Sequence, residues 1–186
     1  MALRIIAGDL KGRKLRAVPG SQTRPTANRT REAIFNILAS RIPGSRVLDL
    51  FAGTGAFGIE ALSRGADAAV LIDLDQGAIA VLQANVKSLS LEGQTRIIRW
   101  DLIQNLNCLN ALSLSFDLVF MDPPYRKNMI APTLRNLHIS QLLVSGTRII
   151  VEHSPREPVL AKLLPFEITD QRQYGKTLVT FLDYVL

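Results

Sequence analysis

The chain has 186 residues, 47% of them hydrophobic, and a net charge of +6, which suits one compact domain with a small appendage. It has no run of about 18 apolar residues and no secretory pattern at its start, and its single cysteine, Cys108, and two histidines, His138 and His153, exclude an internal disulfide and argue against a Cys- or His-based metal site. A cytoplasmic protein is expected, and one that meets a polyanion: residues 1–46 hold ten Lys/Arg against Asp9 and Glu32, whereas the remainder holds twelve basic and fourteen acidic side chains.

Residues 3–7 and 13–18 read as short strands around the turn GDLKG, a predicted hairpin. PGSQTRPTANR follows and is loop by composition. Ala33, Ile34, Ile37 and Leu38 recur at helical spacing, predicting a helix over 28–40 that Pro43 and Gly44 end. Residues 1–45 thus form a basic extension and 46–186 the main domain. There, strands predicted at 46–50, 68–72, 96–100, 118–121 and 147–152 alternate with helices at 57–64, 76–89 and 134–143. That is the rhythm of an open α/β sheet, mostly parallel. Residues 102–115 carry no charge and read as loop or short helix. The tail holds two β-rich runs broken at Tyr174-Gly175, an antiparallel hairpin on one sheet edge.

Two segments carry chemistry. In DLFAGTG, Asp49, Phe51, Ala52, Gly53, Thr54 and Gly55 lie between a strand and a helix. The glycines let the backbone turn and a ligand approach closely. Asp73, followed by Leu74, ends the second strand, where a carboxylate can accept both hydroxyls of a ribose. Gly53, Gly55 and Gly58 also fit the dinucleotide fingerprint, which keeps a nicotinamide-dependent oxidoreductase as a rival. Asp49 argues against it, since a carboxylate there repels a pyrophosphate and suits an amino group, such as the methionine end of S-adenosylmethionine (AdoMet). GKT at 175–177 has Asp170 where a phosphate loop needs glycine, and no helix follows.

The second segment is Asp122, Pro123, Pro124 and Tyr125, after the fourth strand. The prolines have no N–H, so the segment offers only acceptors: the Asp122 carboxylate and the carbonyls of Asp122 and Pro123. An exocyclic amine on a nucleobase, with two N–H donors, is the natural guest, and Tyr125 gives a flat surface for stacking. Acceptors that hold both N–H bonds out of the ring plane free the nitrogen lone pair and stabilise the charge that grows there during methyl transfer. Carbon methylation of cytosine needs a cysteine nucleophile near a proline, and Cys108 lies instead in NLNCLNA.

DPPY is similar to the fourth motif of amino-methyltransferases. Together, RIIAGDLKGRKL, TRPTANRTREAIFNIL, DLFAGTGAFGIEALSRGA, FMDPPY and YGKT resemble the RsmD family of small-subunit (16S) rRNA guanine-N2 methyltransferases. The resemblance implies a class I, Rossmann-like AdoMet-methyltransferase sheet, AdoMet as donor with S-adenosylhomocysteine as product, and a guanine of 16S rRNA as acceptor, within an assembling small subunit. It sets Asp101 and Leu102 beside the adenine. It puts Lys11, Arg13, Lys14, Arg24, Arg29 and Arg31 on RNA phosphates, with Pro25 and Thr26 near the cofactor crevice. The chain departs from the family at Asn28, where an Asp or small polar residue is usual, and at Asp73, where Glu is usual. Methylation of DNA adenine or protein glutamine, and an rRNA-binding assembly factor without turnover, stay open as alternatives.

Overall fold

Val47–Leu50 and Leu118–Met121 are buried without interruption, the pattern of strands covered on both faces. They form the centre of the sheet in the computed structural model, which describes residues 3–19, 25–112, 114–159 and 165–186, with 25–27 by backbone alone. In chain order the elements are α1 (Pro25–Ile37), β1 (Arg46–Leu50), α2 (Ala56–Ser63), β2 (Ala68–Asp73), α3 (Gln76–Ser88), β3 (Thr95–Arg99), a 3-10 helix (Asn107–Leu112), β4 (Phe116–Met121), α4 (Ile130–Ile139), β5 (Leu143–His153), β6 (Phe166–Tyr174) and β7 (Thr177–Tyr184).

The strands order as β3-β2-β1-β4-β5-β7-β6. β1 to β5 pair in parallel, and β7 runs antiparallel between β5 and β6. The expected terminal hairpin is present, but it joins the sheet by its second strand, leaving β6 at the edge. The chain reverses its direction of travel between β1 and β4, so a crevice opens beyond their carboxyl ends.

Alternation along the strands splits the apolar residues into two layers. Val47, Leu118 and Phe120 face one core with α2 and α3; Leu48, Leu50, Val119 and Met121 face the other with α4. The first core also takes Leu3, Ile5 and Leu15 from the N-terminal turn and Ile34, Phe35 and Leu38 from α1. Phe35, Phe57 and Phe120 meet there with ring centroids 5.1–6.2 Å apart. The predicted N-terminal hairpin is present in short form: an antiparallel bridge at Arg4–Lys14 is flanked by Leu15 N→Leu3 O, Ile5 N→Arg13 O and Gly12 N→Ile5 O, and beyond it the Ile6 and Ala7 amides turn to α2. Glu60, itself buried, accepts from Ile6 N and Ala7 N at 2.8 and 3.0 Å and from Arg64 Nε at 2.8 Å.

Two helices start earlier than their periodicity predicts. α1 opens on Pro25 and α4 carries Pro132 in its first turn, where a missing N–H costs no helical bond. β5 begins at Leu143, ahead of the expected 147, through an irregular register against β4 between Phe116 and Leu118.

Candidate active site

β1 ends in a backbone that bends sharply. Phe51 has φ +64°, Gly53 +55° and Gly55 +79°; for a bulky side chain such as Phe51 this is a strained conformation. The turn brings Gly53 N within 2.8 Å of Asp73 Oδ2 at the end of β2, while Asp73 Oδ1 accepts from Asp75 N. A Cβ on Gly53 would meet only the Phe51 carbonyl at 4.0 Å, so the space above it is open. Gly55 is small for a different reason than ligand approach: a Cβ there would lie 2.4 Å from Leu82 Cδ1 of α3, and one on Gly58 would lie 2.2 Å from Leu71 Cδ2. Gly55 lets α3 pack against the start of α2, and Gly58 seats α2 against the sheet.

Asp49 is 2% exposed, and its Oδ2 accepts from Gly58 N at 2.9 Å. Gly55, at the N-cap of α2, has no side chain to cap with, and Asp49 supplies that acceptor from the neighbouring strand. Burial is the main cause that pushes its carboxyl from the ordinary 3.8 up to about 7, against the pull of the Gly58 amide and with Asp73 adding to the rise. Leu74, next after Asp73, is 52% exposed. Asp101 accepts from Ile103 N and Gln104 Nε2. Leu102 turns its side chain into the second core, and Asn136 of α4 holds the Leu102 and Ile103 carbonyls. The uncharged stretch that follows is the 3-10 helix, one of the two forms expected of it.

Beside this turn, Asp122 leaves the end of β4. It opens to solvent yet is hemmed in by protein, and this crowding, with the carboxylates of Glu152 and Asp49, pushes its carboxyl well above the ordinary 3.8. Pro123 is buried; Pro124 and Tyr125 are exposed. The Tyr125 hydroxyl lies 3.1 Å from Thr177 Oγ1 and donates to Glu152 Oε1 at 3.4 Å. Burial, then the Glu152 and Asp122 carboxylates, push the phenol up to about 12, so it stays protonated. Arg126 and Asn128 have φ +61° and +52°, and the Glu157 carboxylate accepts from both their amides. That buckle fixes the loop after Tyr125.

Glu152, Thr177 and Glu157 were not among the residues expected here. Glu152 reads as the end of a strand, and its signal is parity: Met121 pairs with Val151, so Asp122 and Glu152 follow side by side on one face. Thr177 belongs to the GKT set aside as a failed phosphate loop, which is the β6–β7 turn.

The basic residues divide. Lys11, Arg13, Lys14 and Arg29 are exposed, and Arg13 Nη2 also reaches the Ser88 carbonyl at 3.0 Å. Arg31 does not stand with them. It is 4% exposed, donates to the Arg4 carbonyl, and burial lowers its pKa despite Glu60 nearby. A phosphate contact from Arg31 therefore does not fit the structure. Arg24 lies outside the described residues, and Pro25 and Thr26 are placed only as backbone of α1.

The family profile described as conserved hypothetical protein 95 matches residues 3–183. The Bacillus subtilis protein YlbH is 35% identical over 175 residues, covering 94% of this chain and 95% of its own. Ribosomal RNA small subunit methyltransferase D of Escherichia coli K12 is 37% identical over 153 residues, covering 81% and 74%. The solved structure of the Escherichia coli protein yhhF superposes with a TM-score of 0.85 at 30% identity, covering 100% of this chain and 99% of that one.

Proposed function

This chain belongs to the RsmD family, described as conserved hypothetical protein 95, and from that premise we propose that it methylates the exocyclic N2 of a guanine in 16S rRNA. AdoMet is the cofactor, and the residues present fit it. The open space above Gly53 borders the Asp73 carboxylate, which suits a ribose diol. Asp49 suits the amino-acid end, and Asp101 with the Leu102 backbone suits the adenine. When bound, the cofactor supplies an electrophilic sulfonium methyl.

The observation that carries this reading is the acceptor-only rim of Asp122, Pro123 and Pro124 at the β1/β4 switch point, directly beside the glycine turn. Asp122 and the Pro123 carbonyl accept both hydrogens of the amine, hold it out of conjugation and favour positive charge on nitrogen. Tyr125 stacks the base, held by Thr177 and Glu152. Once methylated the nitrogen carries a positive charge with both of its hydrogens and is strongly acidic, and one proton passes to Asp122 or to water. Lys11, Arg13, Lys14 and Arg29 bind RNA phosphates, and the target base rotates out of an RNA loop to reach the rim.

The test incubates the protein with labelled AdoMet and naked 16S rRNA, small-subunit assembly particles, duplex DNA or a glutamine-bearing protein. Methyl label on guanine N2 of the rRNA, naked or assembled, is expected, and label on DNA or protein alone would overturn the reading. Asp122→Ala should lower turnover by about 10²–10³-fold, with AdoMet affinity by calorimetry changed by no more than about twofold. Near-normal turnover in that variant would remove the acceptor role.

A further inference from the structure

The end of β5 places a second carboxyl beside the amine site. Asp49 pairs with Phe120 and Phe120 with Ile150, so Asp49, Asp122 and Glu152, each on the same parity, point to one face of the sheet. Glu152 is half-buried, touches the Tyr125 hydroxyl at 3.4 Å and lies close enough to Asp122 for its charge to raise the Asp122 carboxyl. Among the described residues, no Lys or Arg forms an ion pair with either carboxylate. Two crowded carboxyls without a cation are costly unless hydrogen-bond donors reach them.

We propose that Glu152 accepts the ring N1–H of the target base beside the amine held by Asp122, and thereby selects guanine. The proposal rests on the guanine-N2 reading above. Guanine presents three N–H bonds in a row on this edge, two on N2 and one on N1, which matches two neighbouring carboxyls. Adenine presents its amine beside a bare N1 lone pair, which an ionised Glu152 repels. Tyr125 and Thr177 fix the plane of the base; Glu152 reads which atom lies at its edge.

2-Aminopurine probes this contact, since it keeps the amine at C2 but has a lone pair at N1; it also lacks the 6-oxo group, so the change that Glu152→Gln makes in the preference isolates the N1 part. With target RNA carrying guanine or 2-aminopurine at the modified position, the wild-type chain should favour guanine in kcat/KM by about 100-fold or more. Glu152→Gln, whose amide can donate to a bare N1, should cut that ratio by about tenfold or more. Thr177→Val, which loosens only the Tyr125 hydroxyl, should slow both substrates and leave the ratio unchanged. If Glu152→Gln turns over neither RNA, their dissociation constants from the full chain, read by 2-aminopurine fluorescence and competition, give the same ratio. An unchanged ratio in Glu152→Gln, with the wild type still labelling guanine N2, overturns the role of Glu152 alone. No label on guanine N2 by the wild type overturns both, and the position of the label tells the two failures apart.

Discussion

Asp49 occupies an inward position of β1 that its neighbours fill with apolar side chains, and it is tolerated because it caps α2 through Gly58. With its carboxyl raised from 3.8 to about 7, the folded protein takes up a proton that the unfolded chain releases above about pH 4. Its favourable contribution is therefore complete below about pH 4 and lost as pH rises through about 7. Urea unfolding should show stability falling across this window, and Asp49→Asn should flatten the decline by an amount on the order of a few kcal/mol. A second consequence is specific to the cofactor. An ammonium arriving beside Asp49 favours its ionised form, so AdoMet binding near pH 6 should release close to one proton. Calorimetry in buffers of different ionisation enthalpy reads that proton directly, and Asp49→Asn should abolish the buffer dependence. Equal enthalpies for the wild type would separate Asp49 from the amino-acid end.

The N-terminal segment owes its place to buried polar side chains on the helices beneath it. Glu60 takes the Ile6 and Ala7 amides, Ser63 Oγ takes Leu10 N and donates to the Ala7 carbonyl, and Asn85 takes Arg16 N while donating to the Arg16 and Thr54 carbonyls. Glu60→Ala leaves two amides and Arg64 without their acceptor and should cost about 3 kcal/mol, seen as a lower urea midpoint. Asn85→Ala ties stability to the proposed function, since it frees the Thr54 carbonyl of the glycine turn; weaker AdoMet binding should accompany the loss of stability. These anchors explain what the sequence could and could not show. Strand and helix alternation from Arg46 onward was legible because each element follows its own period, and the positions of Asp49, Gly53 and Asp73 around the β1 and β2 ends followed from that alternation. The starts of α1 and α4 were obscured by Pro25 and Pro132, which read as breakers but sit where a helix accepts them. The position of Glu152 beside Asp122 was hidden because it is a matter of register between β4 and β5, two elements apart in the chain. Arg31 did leave a signal: it precedes Ile34 and Phe35 by three and four residues, on the apolar stripe of α1.

Among the described residues, three of the five non-glycine positions with positive φ lie beside the proposed chemistry, the other two being Ser90 and Gln141. Phe51 beyond β1, and Arg126 and Asn128 beyond β4, all have positive φ, and both strands end at the crevice where the sheet order reverses. The other global feature is charge, concentrated in residues 1–46, where Lys11, Arg13, Lys14 and Arg29 are exposed. If that segment grips phosphates, affinity for rRNA must fall steeply with salt, because each contact releases counterions. Replacing Lys11, Arg13, Lys14 and Arg29 one at a time by Gln should each lower the slope of log K against log salt by about 0.7–0.9, with little change in AdoMet affinity. Arg31 should behave differently. It is buried against the Arg4 carbonyl with Nε lacking an acceptor among the described residues, so Arg31→Gln should leave the salt slope intact and alter the urea midpoint instead. Filter binding over a salt series, paired with unfolding curves for each variant, separates a charge that meets RNA from one that meets the core. An unchanged slope in all four exposed variants would move the RNA to another face.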